Sequence, residues 1–232
     1  LEITVVTAGT PVVSWQVIAF TYATVQSGDL SFATTDSSRT ATITSVDTSK
    51  SWLLYTHTSG DGTSTDIGQK LVRGRVTNAT TLTFDRSNTG QAMDLTWYVV
   101  EFTDNHSVQH GSQAFTTSET QKDVTITSAA VGKSFAVGGS AMQEGRSAYS
   151  TDDNPGVGWM THELTSSTNL RITRGLTGSA SADMGWFAVT IPTPGITASA
   201  ISGNTTEAGG TATFTVVLTS KPVSDVTIGL TS

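Results

Sequence analysis

Leu95-Thr96-Trp97-Tyr98-Val99-Val100-Glu101-Phe102 decides the fold. It is short, rich in Val and aromatic residues, and free of Gly and Pro, which is the pattern of a buried β-strand. Similar strands recur at Ser14-Trp15-Gln16-Val17-Ile18-Ala19-Phe20 and at Gly185-Trp186-Phe187-Ala188-Val189-Thr190-Ile191. Side chains alternate along a strand, so Leu95, Trp97 and Val99 share one face while Tyr98, Val100 and Phe102 share the other. In the third copy Met184, Trp186 and Ala188 oppose Phe187, Val189 and Ile191. Both faces are apolar, whereas a strand with one wet face would alternate with polar residues. The second face is therefore covered, either by a loop of its own domain or by a neighbouring domain or subunit. An uncovered apolar stripe of that size invites aggregation.

The chain between the Trp strands is a repeat. Thr42-Ile43-Thr44-Ser45 returns as Thr125-Ile126-Thr127-Ser128, and Lys50-Ser51-Trp52 returns as Lys133-Ser134-Phe135, both at a spacing of 83 (125 − 42 and 133 − 50). Leu82-Thr83-Phe84-Asp85-Arg86 matches Leu170-Arg171-Ile172-Thr173-Arg174, which puts two apolar residues and an Arg on one strand face in each copy. Val25-Gln26-Ser27-Gly28 matches Val108-Gln109-His110-Gly111. Each reads as a strand closed by a Gly turn, and so as half of a hairpin. Thr40 to Val46 and Val124 to Ser128 read as strands.

These observations predict an all-β chain of tandem antiparallel β-sandwich repeats, Ig-like or jelly-roll-like, followed by a partial third β-module. The first repeat spans 1–102, with 1–20 as an extra leading strand pair: the tail of a preceding repeat or a strand lent to the first. The second spans 103–192. Pro192-Thr193-Pro194 opens a stiff linker, and 193–232 holds the linker and the partial module.

Composition narrows the function classes. Twelve Lys and Arg against nineteen Asp and Glu give a net charge of −7, with no basic stripe to neutralise phosphates. That argues against nucleic acid and against a polybasic membrane contact. No apolar run is long enough for a spanning helix, so no membrane insertion is expected. The absence of cysteine excludes disulfides and thiolate metal sites, and in an exported chain it favours a prokaryotic origin.

Catalytic signatures are not apparent. His57, His106, His110 and His162 lack metal-protease spacing and read as solvated loop histidines, and no nucleophile elbow or P-loop is present. The chain is expected not to be an enzyme. No cofactor is required on this reading, but calcium suits two polar loops, one with Asp61 and Asp66 and the other with Asp152 and Asp153, because calcium takes several hard oxygens from flexible backbone. The same residues also serve turns for backbone reasons. Trp159 and Tyr149 flank the irregular second loop and are the candidates for stacking on a glycan, with core packing as the alternative.

Beyond the linker, Thr206-Glu207-Ala208-Gly209-Gly210-Thr211-Ala212-Thr213-Phe214-Thr215-Val216-Val217-Leu218, with Pro222 and Asp225-Val226-Thr227-Ile228, resembles the opening strands of a Calx-beta domain. The likeness covers residues 195–232 only. It implies an Ig-like sandwich of the kind found in large bacterial surface and adhesive proteins, and it places Glu207 where such domains often carry a calcium-ligating acid. The repeats are themselves similar to modules of long bacterial surface and fibre proteins.

The expectation is thus a structural segment of an extracellular filament, surface layer or adhesive stalk, at the cell surface or beyond it. Its main partner would be itself, as a homopolymer or through neighbouring repeats. Assembly would run through β-strand addition and the apolar faces around Trp15, Trp97, Val99, Trp186 and Phe214. The alternative is a carbohydrate- or calcium-dependent adhesin module.

Overall fold

The computed structural model describes residues 17–59, 66–141, 143–151, 154–222 and 224–229, and these are built from β-strands and single 3-10 turns. The first repeat holds β1 (Ala23–Phe32), β2 (Ser38–Thr42), β3 (Ser51–Ser59), β4 (Arg73–Asn78), β5 (Thr81–Asp85) and β6 (Met93–Phe102). One sheet has the order β1-β6-β3 and the other β2-β5-β4, with every pairing antiparallel. Leu53, Tyr55, Leu95, Trp97 and Phe32 pack from the first sheet against Val76, Leu82 and Phe84 of the second.

The second repeat holds β7 (Ser107–Phe115), β8 (Gln121–Thr125), β9 (Ser134–Val137), β10 (Arg146–Ser147), β11 (Met160–Ser166), β12 (Asn169–Arg174) and β13 (Ala182–Thr190). β13 pairs with β7 along one edge and with β9 and β10 along the other, over a second sheet β11-β12-β8. The fold is therefore all-β and consistent with tandem antiparallel sandwiches. Beyond it, β14 (Ile196–Ala198) and β15 (Val216–Leu218) form a two-stranded ribbon.

Three pieces of each repeat have the same role in both copies. The first corrects the hairpin reading. β1 and β7 are each one continuous strand, and the glycine within each is not a turn. Gly28 lies directly across from Trp97, and a Cβ there would sit 2.7 Å from the indole Cζ2; Gly111 faces Trp186 at 2.8 Å. Glycine is required because the indole occupies the space a side chain would take.

The second piece is a glutamine clamp. Gln26 Oε1 accepts from the Thr44 N–H at 2.7 Å and its Nε2 donates to Thr44 O at 2.9 Å. Gln109 holds Thr127 the same way, at 2.6 and 2.9 Å. A side-chain amide thus takes the place of a ladder partner, so β2 stops at Thr42 and β8 at Thr125, short of the expected ends.

The third piece is a buried arginine. Arg86 donates to the carbonyls of Asp36, Gln69, Gln91, Ala33 and Thr34. Arg174 donates to those of Glu119, Val157, Ala180 and Thr116. Each guanidinium also lies 5.5 Å from a ring centroid, Phe32 for one and Phe115 for the other. Loops that have no strand of their own to pair with find their acceptors satisfied by one rigid five-donor fork.

In the last segment the alternating run 211–218 yields a strand only over Val216–Leu218, and 224–229 forms none. A two-stranded ribbon has no further sheet to extend its ladder. It rests on the first repeat and on the connection between repeats: Asn105 donates to Thr219 O at 2.9 Å, Tyr22 donates to Pro222 O, and Lys221 Nζ lies 4.8 Å from the Tyr22 ring centroid.

Candidate functional site

The two repeats meet at a seam built like a protein interior. On β13 the outward side chains Phe187 and Val189 are buried, and with Val108 they belong to the apolar cluster of the first repeat rather than their own. Partly buried Phe135 and Val137 pack on the same cluster, and Phe135 meets the edge of Trp52 with centroids 5.3 Å apart. Gly185 lets the two backbones approach, since a Cβ there would come within 2.6 Å of Gly74 O. The apolar second face of this Trp strand is covered by the neighbouring repeat of the same chain.

Backbone pairing crosses the seam as well. β9 ends at Val137, and the chain then leaves its own sheet to lie parallel to β3. The Tyr55 N–H donates to Gly139 O at 2.9 Å and the Ala141 N–H donates to Tyr55 O at 3.0 Å. The edge of β3 is thereby covered, as exposed strand edges need to be. In the first repeat β3 instead runs beside β6 to Ser59.

Two polar clusters lock the seam. Arg73 makes a bidentate pair with Asp85 at 2.9 and 2.7 Å, and Arg75 adds a 2.8 Å contact to the same carboxylate. From the second repeat Arg146 pairs with Asp183 at 2.8 Å, and the two pairs are linked by Arg73–Asp183 and Arg146–Asp85 contacts of 3.7 Å. The second cluster centres on Glu144, which follows the crossing arm and is buried. Its Oε1 lies 3.2 Å from the Val72 N–H and 3.1 Å from His57 Nε2, and the Trp159 side chain donates to the same carboxyl. His57 Nε2 is also 2.9 Å from Lys70 O, so a single N–H is shared between two acceptors. Burial pushes the Glu144 carboxyl up to about 8, and burial lowers His57 from its ordinary value. Both are therefore neutral at pH 7.

The residues singled out from sequence fall elsewhere. Trp97, Val99 and Trp186 are not assembly surfaces. They are buried inside their own repeats, at 7%, 1% and 8% exposure, because the Trp face of each strand is the one that looks into the sandwich. Phe214 is exposed at 44%. Trp15, Asp61, Asp152 and Asp153 lie outside the described residues. Asp66 caps a 3-10 turn, accepting from the Gly68 N–H at 2.9 Å and from Asn88 Nδ2 at 3.1 Å, so a turn role accounts for it. Glu207 is exposed in the turn before Gly210. Among the described residues no three His, Asp or Glu side chains converge as a metal site. Tyr149 is half-buried over Gly178 and accepts from Asn154 at 3.0 Å, while Trp159 keeps 40% exposure beside Glu144.

The histidines also need correcting. His57, His110 and His162 lie on β3, β7 and β11, and His106, in the connection between repeats, stacks on Phe102 at 4.3 Å. His57 follows Leu53 and Tyr55 at period 2, which places it on the inward face and was a readable signal. Glu144 carries no such signal, since it lies outside any strand and its burial depends on the other repeat.

Fold and seam together define a tandem β-sandwich protein with an interlocked inter-repeat joint. No protein-family model matches the chain, and neither the curated proteins nor the solved structures include a match. Among the described residues no helix is long and apolar enough to cross a membrane.

Proposed function

We propose that the chain is a structural, non-catalytic segment of an extracellular filament, surface layer or adhesive stalk, in which repeats stack into a stiff rod. The observation that carries this reading is the seam. An apolar face, a crossing arm and two polar clusters fix the second repeat on the first, whereas domains free to swing usually meet through smaller, more polar contacts. A head-to-tail contact of this kind can continue from repeat to repeat without closing. The third copy of the Trp strand, at Trp15, and the Calx-beta-like sequence after the linker fit the same plan of modules in series.

Electron microscopy of the purified chain, with sedimentation across a concentration series, tests the reading. Rods of constant length, or end-to-end polymers of them, are the expected result. Particles whose two repeats adopt many relative angles would sink it.

A further inference from the structure

We propose that the Glu144 carboxyl is a proton-controlled latch that holds the second repeat on the first. It gives the stiff stack of the proposed function a joint that loosens in alkali, and it rests on that reading only for its biological use. The geometry is specific. Glu144 stands on the arm of the second repeat, yet His57 Nε2 and the Val72 N–H, two of its hydrogen-bonding partners, belong to the first, and the third, Trp159, returns from the second. One carboxyl thus ties β3 and the start of β4 to the crossing arm. The same arm makes its parallel pairing with Tyr55 through Gly139 and Ala141, just before Glu144 in the chain.

Tyr55 on β3 donates its hydroxyl proton to Val72 O and accepts from the Gly74 N–H, and burial keeps that hydroxyl protonated. Arg73 and Arg75 on β4 are committed to Asp85 of β5, and Arg146 of β10 to Asp183 of β13. His162 on β11 is held neutral by burial, down to about 4. The base in contact with Glu144 is His57, whose lowered pKa keeps it neutral on the alkaline side, so ionising Glu144 there leaves a buried carboxylate with hydrogen-bond donors but without a counter-charge.

The sign follows. The docked carboxyl has a raised pKa, so its proton's contribution to docking is full below the ordinary 4.5, declines as the pH rises above that value, and is gone once the pH has passed about 8. His57 works in the opposite sense. Its lowered pKa means that protonation disfavours docking on the acid side, below its ordinary 6.5. The latch is therefore closed near neutrality and opens towards alkali.

Hydrogen exchange on the intact chain reads the latch directly. The Tyr55 and Ala141 amides cross the seam, so between pH 7 and 9 their protection factors should fall about tenfold. Those of amides inside β5 and β12 should not change. E144Q, which keeps the shape but cannot ionise, should give flat protection at Tyr55 and Ala141 over the same range. Protection that is flat in the wild-type chain, or that falls equally in E144Q, overturns the proposal. If E144Q does not fold, infrared spectroscopy of the wild-type chain serves instead: a protonated-carboxyl band present at pH 7 and lost near pH 8 supports the latch, and its absence at pH 7 overturns it. Both measurements are made on dilute single chains, so a failure to form rods leaves them unaffected.

Discussion

The two repeats share an interior and differ in what covers its outside. In each, a Trp indole lies on a glycine, a glutamine amide clamps a threonine, and an arginine gathers loop carbonyls. The outer face of the central strand is where they part. In the second repeat Phe187 and Val189 are buried against the first. In the first repeat the corresponding Tyr98 keeps 43% exposure, while Val100 and Phe102 are buried, Phe102 with Phe20 and His106 packed on it. Towards the other end of β6 that face turns polar, with Ser31 donating to Asp94 and Thr96 donating to Asp29. The interior therefore specifies the sandwich, and the outer face specifies the stacking.

The largest expected effect tests the shared interior. Arg86→Ala and Arg174→Ala should each cost about 3–5 kcal/mol, read as loss of thermal stability, because each leaves at least four buried or half-buried carbonyls without their donor. A large cost in one copy alone would break the equivalence. The outer face should behave in the opposite way. Phe187→Asp should cost about 3–4 kcal/mol by placing an unpaired charge in the apolar seam, whereas Tyr98→Asp should stay within about 0.5 kcal/mol. Chemical denaturation of the two variants checks this, and equal effects would show that the seam is not what separates the repeats.

Smaller effects sharpen the comparison. Gly28→Ala and Gly111→Ala each force a methyl into the indole and should cost about 1–3 kcal/mol in either repeat. Circular dichroism melts of the two variants should coincide in direction and size. The glutamine clamps are exposed, so Gln26→Ala and Gln109→Ala should cost only about 1 kcal/mol each. Faster amide exchange at Thr44 and Thr127 would localise the loss.

How much of this the residues announce varies by level. The period-2 runs and the repeated Leu-x-Phe-x-Arg and Leu-x-Ile-x-Arg strands announce the sheets, because alternation and repetition are local properties. The glycines misled for a local reason too: a glycine in a strand and a glycine in a turn look alike until the residue across the ladder is known. The arginines were placed on the correct face, but their carbonyl partners come from loops up to 58 residues away.

By itself the sequence determined the all-β class and the repeat, since both follow from the spacing and recurrence of side chains along the chain, whereas the turning of the Trp face of the central strand into the sandwich came from the packing of the two sheets. Tertiary structure alone decided where the other face of that strand goes. Around Trp97 it is part covered and part open to solvent, and around Trp186 it becomes the joint between repeats. The crossing arm and the Glu144–His57 contact exist only where two distant segments meet, and no spacing along the chain encodes that meeting.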